Sequence, residues 1–354
     1  MTTPYIVFSK RSSAELRSCI VENYGLIRYE YPFINALCIE VPEENVRKLQ
    51  RHRLVAMMAH DGAVKKMSLE HTLCAAHLPS AMPFAETGGR NITIAIIDTG
   101  ISPHYDFLKP SCRLLAFKDI INGEVSPYDD DGHGTHVAGI AAGNGFACGG
   151  RIRGTAPLAE IVAVKALDET GSGTASDILA AMQWVSDNKK RYNIKDVNIS
   201  FGVEANENND PDPLVIGTTA LVMQGITVVT AAGNAGPKPR TISSPGINPY
   251  VITVGAYGLS GIPEFTSRGP VTPSIHKPDL LAPGVDIASL NAKNCKNYAL
   301  QTGTSMSCPY VAGLAACILS AYPNLTPAQV KRLLGKLAIP MRGVSGDVQG
   351  AGCL

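Results

Sequence analysis

Three segments of this 354-residue chain contain a polar residue of a type that can take part in catalysis. Asp98 ends the apolar run NITIAIID, His133 lies in DDDGHGTHVAGIAAG, and Ser305 lies in QTGTSMSCPYVAG. A hydroxyl becomes a nucleophile when an imidazole takes its proton and a carboxylate orients that imidazole. The three residue types therefore predict attack on a carbonyl carbon, provided that the fold brings them together.

Each of these residues also has a simpler structural interpretation. Asp98 could cap the turn after its strand, and Ser305 could cap the apolar helix that follows it. His136, the second histidine of its segment, is expected to be a buried structural imidazole. The acids Asp129–Asp131 and the two histidines could instead form a zinc site, although the HExxH spacing of zinc hydrolases is absent. A metal-dependent hydrolase is thus an alternative.

Attack on a carbonyl also needs a donor for the oxygen that becomes negative. Asn234 follows a buried strand in the segment TVVTAAGNAG, so its amide could reach the reacting centre. A fixed amide donor at such a place stabilises the developing charge. Asn234 is therefore the candidate donor.

The elements that must position these residues fall into two parts. From Asn91 onward, continuous Val- and Ile-rich runs alternate with helical segments, which predicts an α/β domain with a doubly wound, mainly parallel sheet. Residues 5–60 read as βαββαβ, a small α+β unit of ferredoxin-like connectivity. Between Asp61 and Arg90 the periodicity fades, which predicts a linker with one short helix.

Composition excludes several classes of protein. Lys and Arg number 31 against 30 Asp and Glu, so no basic field indicates a nucleic-acid partner. No apolar run approaches the roughly 20 residues of a membrane span. Nine cysteines without CxxC pairs argue against a disulfide scaffold. The N-terminal residues lack an apolar signal region, so a cytoplasmic location is expected.

The four segments IIDTGI, DGHGTHVAGI, TAAGNAG and TGTSMSCPYVAG resemble the Asp, His, Asn and Ser blocks of subtilisin-like serine proteases. The resemblance covers residues from about 90 to 340. It implies a serine endopeptidase that hydrolyses peptide bonds through an acyl-enzyme and needs no cofactor for its chemistry. Asp98, His133 and Ser305 would be the triad. Asn234 and the Ser305 backbone N–H would form the oxyanion hole.

The leading unit resembles the propeptide that helps such proteases fold and then inhibits them. The implied organisation is a propeptide over residues 1–67 and a catalytic domain over residues 68–354. Self-processing would cut near Met67–Ser68. The propeptide would then remain as a partner in the cleft, with Met67 in the S1 pocket.

The resemblance also implies how peptide or protein substrates bind. A substrate strand would lie between two edges and gain backbone hydrogen bonds from both. The edges are Gly171, Ser172 and Gly173 on one side and Ser200, Phe201 and Gly202 on the other. The S1 walls would be Ser200–Gly202, the residues Ala231, Ala232 and Gly233, and Ser243. Small, uncharged walls predict broad specificity with Leu, Met, Phe or Tyr at P1.

The chain also departs from the family. The run FACGGRIRGTAP does not reproduce the family's Asn-rich calcium loop, so a structural calcium ion is left open, with Asp129–Asp131 as another place for it. Cys308, one turn after Ser305, could make activity sensitive to mercurials. A non-catalytic or regulatory relative that binds peptides is the alternative to an active protease.

Overall fold

The computed structural model describes residues 2–23, 25–67, 84–203 and 211–354. The N-terminal unit has the predicted βαββαβ order. Its elements are β1 (Thr2–Ser9), α1 (Ser13–Asn23), β2 (Leu26–Tyr31), β3 (Ala36–Pro42), α2 (Glu43–Gln50) and β4 (Val55–His60). The four strands form an antiparallel sheet in the order β2-β3-β1-β4. This is the ferredoxin-like arrangement that the sequence predicts.

The two faces of this small sheet are both covered, since successive side chains of a strand point to opposite faces. Val7 and Leu37 join the helix residues Leu16 and Ile20 in a core of the unit's own. Their strand neighbours Ile6 and Cys38, together with Phe8 and Tyr31, belong to a core cluster shared with the larger domain. The N-terminal unit is thus packed onto the rest of the protein by one whole face of its sheet.

The expectation of a linker over residues 61–90 is wrong in part. A four-residue strand, β5 (Ala63–Lys66), lies within that range. Its side chains are one buried valine, one alanine and two lysines, so it lacks the apolar run that marks a buried strand. It forms because the larger domain supplies pairing partners on both sides of it.

The larger domain contains the remaining strands and helices. Its first half comprises β6 (Thr93–Asp98), α3 (Tyr105–Leu108), β7 (Leu114–Asp119), α4 (His133–Ala142), β8 (Glu160–Lys165), β9 (Ser172–Thr174), α5 (Ala175–Asn188), β10 (Ile194–Ile199) and β11 (Phe201–Gly202). Its second half comprises α6 (Pro213–Met223), β12 (Thr227–Ala231), β13 (Ile252–Tyr257), β14 (Leu280–Pro283), β15 (Ile287–Leu290), β16 (Tyr298–Gln301), α7 (Thr304–Ala321), α8 (Pro327–Leu337) and α9 (Gly346–Gln349).

A seven-stranded sheet in the order β14-β13-β12-β10-β6-β8-β7 forms the centre of this domain. All of its strand pairs are parallel. One face packs on α4 and α7, and the other packs on α5 and α6. The predicted doubly wound α/β fold is confirmed. The two edge strands, β7 and β14, were not predicted, because neither has a long apolar run.

Strand β6 lies where the chain order of the sheet reverses. The chain runs from β6 to β7 and β8 on one side of it, and to β10, β12 and β13 on the other. In open parallel sheets this switch point leaves a crevice at the carboxyl ends of the strands, where ligands bind. Asp98 is the last residue of β6. The topology alone therefore places Asp98 at the mouth of the crevice.

Helix α7 is long and apolar enough to cross a membrane by length and composition, contrary to the expectation from sequence. However, 89% of its 18-residue apolar window is buried inside the protein. The helix packs against α4 and the central strands, and most of its side chains belong to the larger core. The apolar side chains of α7 therefore form part of the hydrophobic core of the larger domain.

His136 links α4 to the hairpin formed by β15 and β16. Its Nε2 lies 3.1 Å from the carbonyl oxygens of both Ile287 and Ala299. Ser289 Oγ donates to the carbonyl oxygen of His136 over 2.7 Å. Complete burial lowers the pKa of the His136 imidazole to about 3. The imidazole is therefore neutral and structural, as the sequence suggests.

We expect this histidine to make the fold sensitive to acid. From about pH 6.5 down to about pH 3 the unfolded chain binds a proton at residue 136 that the folded chain does not. Folding stability should therefore fall as the pH falls, by up to about 1.4 kcal/mol per pH unit from this group. Denaturant unfolding of His136→Gln should show a shallower pH slope, measured in a Ser305→Ala background to prevent digestion. Replacing the exposed His60 by Gln is the control. An unchanged slope in His136→Gln would contradict the assignment.

Candidate active site

Asp98 and His133 are in direct contact at the switch point. His133 Nδ1 lies 2.7 Å from Asp98 Oδ1, and both side chains are buried. The same carboxylate oxygen accepts the backbone N–H of Thr99 over 2.8 Å, which fixes the carboxylate at the end of β6. A carboxylate on Nδ1 favours the tautomer that leaves Nε2 without a proton. The imidazole is thus arranged to accept a proton at Nε2.

Glycines allow the start of α4 to approach the end of β6. His133 is the first residue of α4, and Gly132 before it has φ 102°, in the left-handed region that favours glycine. A Cβ added at Gly134 would collide with the carbonyl oxygen of Gly100 and lie 3.1 Å from Asp98 Cβ. Gly132 and Gly134 therefore allow the His133 imidazole to lie within hydrogen-bond distance of the Asp98 carboxylate.

Ser305 lies in the first turn of α7, immediately after the cap residue Gly303 and Thr304. Pro309 has no N–H, so the carbonyl oxygen of Ser305 lacks its usual partner four residues along the helix. Ser200 Oγ donates to that oxygen over 3.1 Å, and Asn198 Nδ2 donates to Ser200 Oγ over 2.9 Å. A buried polar chain from β10 thus anchors the turn that carries Ser305.

Asn234 is held so that its amide nitrogen faces the cleft. Its Oδ1 accepts from the backbone N–H of Thr304 over 3.1 Å and from Thr304 Oγ1 over 3.0 Å. Thr304 Oγ1 also accepts the N–H of Gly233 over 3.2 Å. These contacts use the acceptor side of the amide and leave Nδ2 to donate. This role of Thr304 was not predicted from the sequence, although the residue directly precedes Ser305.

Both Ser305 and Asn234 contact the carbonyl oxygen of Met67. Ser305 Oγ lies 2.5 Å from this oxygen, and Asn234 Nδ2 donates to it over 2.9 Å. The Asn234 distance lies within the range expected for an oxyanion-hole donor. The chain's own residue 67 therefore occupies the position of a carbonyl group about to be attacked. Its neighbour Ser68, the other half of the predicted processing junction, lies outside the described residues.

The hydroxyl of Ser305 is not bonded to His133 in this state. Besides the Met67 oxygen, Ser305 Oγ has the carbonyl oxygen of Ser200 at 2.6 Å. His133 Nε2 is buried and has no hydrogen-bond partner in the part of the chain that the structure describes. The base is therefore vacant, while the hydroxyl faces carbonyl oxygens. Of the hydrogen bonds expected from the sequence, the one between Asp98 and His133 is present and the one between His133 and Ser305 is not formed.

Strand β5 leads to Met67 as the middle strand of a three-stranded antiparallel sheet with β9 and β11. On one side Val64 pairs with Gly173 and Lys65 with Ser172. The register ends with the Lys66 N–H, which donates to the carbonyl oxygen of Gly171 over 2.8 Å.

On its other side, β5 pairs Lys66 with Phe201 and Lys65 with Gly202. The two edges predicted from the sequence, Gly171–Gly173 and Ser200–Gly202, thus flank the same extended segment of the chain.

The Met67 side chain lies against Gly202. A Cβ added at Gly202 would collide with the Met67 methyl group and lie 3.1 Å from Ser243 Cβ. Ser243 is held close by its N–H, which donates to the carbonyl oxygen of Ala232 over 2.9 Å. Of the other predicted wall residues, Ala231 ends β12 and Gly233 contacts Thr304. The absence of a Cβ at Gly202 thus leaves the space that the Met67 side chain fills.

The three consecutive acids before His133 each have a different partner. Asp129 accepts from Thr99 and Thr135 side chains, Asp130 pairs with Lys165, and Asp131 pairs with Lys66. Within the described ranges, no group of three or more His, Cys, Asp or Glu side chains has a geometry that could hold a metal ion. The donor set therefore does not fit the metal-dependent hydrolase, and each of the three acids has a partner of its own.

Cys308 lies on α7 with its thiol completely buried. Its Sγ is 3.6 Å from the carbonyl oxygen of Ile199, and burial raises the pKa of the thiol. A buried, protonated thiol reacts slowly with thiol reagents. The structure therefore gives no support to a mercurial-sensitive cleft at this residue.

Comparison with known proteins agrees with this geometry. The sequence pattern of the subtilase family, peptidase S8, matches residues 89–352. Serine protease AprX of Bacillus subtilis is 36% identical over 336 residues, which cover 88% of this chain and 73% of that protein. Subtilisin E of the same organism is 33% identical over 343 residues, covering 93% and 82%. The chain therefore belongs to the subtilase family and is a subtilisin-like serine endopeptidase.

Proposed function

We propose that this protease is made as a self-processing zymogen, with residues 1–67 as its inhibitory propeptide and residues 68–354 as its catalytic domain. The observation that carries the proposal is the position of the Met67 carbonyl oxygen, which contacts both Ser305 Oγ and Asn234 Nδ2. A segment held there by strand pairing on both sides is placed as a substrate would be. The cut would fall near Met67–Ser68.

In this proposal Ser305 Oγ attacks the carbonyl carbon of Met67, and its proton passes to the vacant Nε2 of His133. The hydroxyl must first turn from the carbonyl oxygens that it now faces toward the imidazole. Asp98 stabilises the imidazolium that forms, and Asn234 donates to the oxygen as it becomes negative. His133 then protonates the leaving amine. Water hydrolyses the acyl-enzyme, with His133 again as the base. The predicted oxyanion contact from the Ser305 backbone N–H stays a prediction.

Contacts outside the cleft support an inhibitor that stays bound after the cut. The start of helix α5 receives the Asp61 carboxylate, which accepts from the N–H and the hydroxyl of Ser176 over 2.8 and 2.6 Å. Tyr31 OH donates to the Ser176 carbonyl oxygen over 2.8 Å, and Arg28 lies between Asp61 and Asp177. A carboxylate at a helix N-terminus is favoured by the helix dipole. The N-terminal unit thus has an anchor besides strand β5.

Replacing the nucleophile tests self-processing. Ser305→Ala should accumulate as an uncut chain of full length, because no acyl-enzyme forms. Wild-type protein should appear as two fragments on a denaturing gel, and a fluorophosphonate should label it at Ser305 once the cleft is free. Ser320→Ala, on the same helix, is the matched control and should be cut normally. Cutting of the purified Ser305→Ala chain, or an unlabelled wild type, would contradict the proposal.

Removing the amide donor tests the oxyanion contact. We expect Asn234→Ala to lower kcat by about 10²–10³, which is the loss measured when the equivalent amide donor of a subtilisin is removed. KM should change little, since the contact strengthens as charge develops. Steady-state kinetics on a peptide ester or anilide provide the measurement. Asn144→Ala, which removes an exposed amide bonded to Lys109, is the control. A rise in KM with kcat unchanged would instead assign Asn234 to ground-state binding of the substrate.

The P1 preference follows from the space beside Gly202. Peptides with Met, Leu, Phe or Tyr at P1 should have a kcat/KM about tenfold or more above that of peptides with Arg or Asp there. The reason is that burial of the apolar side chain is worth about 2 kcal/mol. A positional library of tetrapeptide substrates measures this directly. Strong cleavage after Arg or Lys would show that the proposed apolar pocket is wrong.

A further inference from the structure

An ion pair lies beside the scissile position and is not used by the chemistry. Lys66, the residue before Met67, extends its ammonium group to Asp131 Oδ2. The Lys66 side chain is 28% exposed and that of Asp131 only 8%. Charge pairs in such partly buried places are screened less by solvent than surface pairs. The pair is therefore a candidate for determining which residue binds there.

The backbone of the catalytic helix holds Asp131 in this orientation. The N–H of His133 donates to Asp131 Oδ1 over 3.1 Å, which leaves Oδ2 for the ammonium group. The stem of Lys66 covers Gly171, where an added Cβ would collide with its methylenes. The site therefore combines a fixed carboxylate with a surface of glycine backbone that accepts a long, unbranched side chain.

The neighbouring acids do not serve the cleft in the same way. Asp130 Oδ1 accepts from Lys165 Nζ over 2.6 Å, and that ammonium group is fully buried. Asp129 is bound to the hydroxyls of Thr99 and Thr135. Both carboxylates are thus satisfied by residues of the larger domain. Asp131 is the member of the run whose charge is met by the segment in the cleft.

We propose that Asp131 makes the S2 subsite select Lys or Arg, so that the protease cuts after a basic–apolar pair of residues. This rests on the proposed function, in which Lys66 and Met67 occupy the subsites of a substrate. When Lys66 leaves the cleft, the Asp131 carboxylate loses the cation that it contacts in this structure. A substrate with a basic P2 side chain restores the pair, whereas a neutral one leaves the charge uncompensated.

A competition experiment tests the preference in trans. Two fluorogenic peptides, Val-Lys-Lys-Met and Val-Lys-norleucine-Met, differ only at P2 and are offered together to the full-length protein. The ratio of their kcat/KM values does not depend on how much enzyme has a free cleft. We expect wild type to favour the Lys peptide by about tenfold, as for a charge pair worth roughly 1.4 kcal/mol.

The variant Asp131→Asn should bring that ratio close to one. Asn keeps the Oδ1 that accepts the His133 N–H and removes only the charge. Asp130→Asn is the matched control and should keep the ratio of wild type. Equal cleavage of both peptides by wild type, or an unchanged ratio in Asp131→Asn, would overturn the proposal.

A second arm works without catalysis and separates this inference from the proposed function. In the Ser305→Ala chain, amide hydrogen exchange of the segment around Ala63–Met67 reports how tightly the cleft holds it. Lys66→Met and Asp131→Asn should each speed exchange there, and the double variant should add nothing further. Additive effects would overturn the ion-pair proposal. A wild-type chain that stays whole would overturn the proposed processing, while this arm would still decide whether the Lys66–Asp131 pair holds the segment in the cleft.

Discussion

The carbonyl oxygen of Met67 lies between a hydroxyl and an amide that come from distant parts of the chain. Ser305 is fixed by the first turn of α7, and Asn234 follows β12. Their common contact requires both elements to end at the same edge of the sheet, and it requires Thr304 to orient the amide. If either the turn or the amide moved by an ångström, the carbonyl would lose one of its two partners. The parallel sheet and helix α7 together place Ser305 and Asn234 close enough to contact the same oxygen.

The position of the Met67 carbonyl also depends on strand β5, which pairs with β9 and β11. The central sheet is complete without β5, and so is the small sheet of the N-terminal unit. The pairing of β5 with β9 and β11 therefore stabilises the position of residues 63–67, where it also determines which residue reaches Ser305. Backbone hydrogen bonds give this placement little dependence on sequence, while Gly202 and Asp131 add the side-chain preferences. Affinity and selectivity thus come from separate parts of the cleft.

Sequence predicted the parts of this arrangement that rest on strong local patterns. The buried strands ending at Asp98 and Ala231 have apolar runs, which predicted both strands of the parallel sheet. Strand β5 was missed because AVKK has no pattern of its own and folds against partners more than a hundred residues away. The hairpin of β15 and β16 likewise has no strong alternation.

The roles of single polar residues were harder to foresee. Three consecutive acids have the same appearance in sequence, and only the fold shows that Asp131 faces the cleft while Asp130 faces Lys165. Ser305 Oγ contacts carbonyl oxygens while His133 Nε2 has no partner among the described residues, and no local pattern in the sequence indicates this. Composition and spacing carry no information about which state of the site is populated.

The most direct test of a self-occupied active site is the mass of the N-terminal fragment released by the freshly folded, full-length protein. We expect one initial fragment that ends at Met67, because that carbonyl oxygen, among the residues that the structure describes, contacts both Ser305 Oγ and Asn234 Nδ2. A first cut several residues away, or a chain that stays whole while its Ser305 is labelled by a fluorophosphonate, would show that the Met67 carbonyl is not the group presented to the nucleophile.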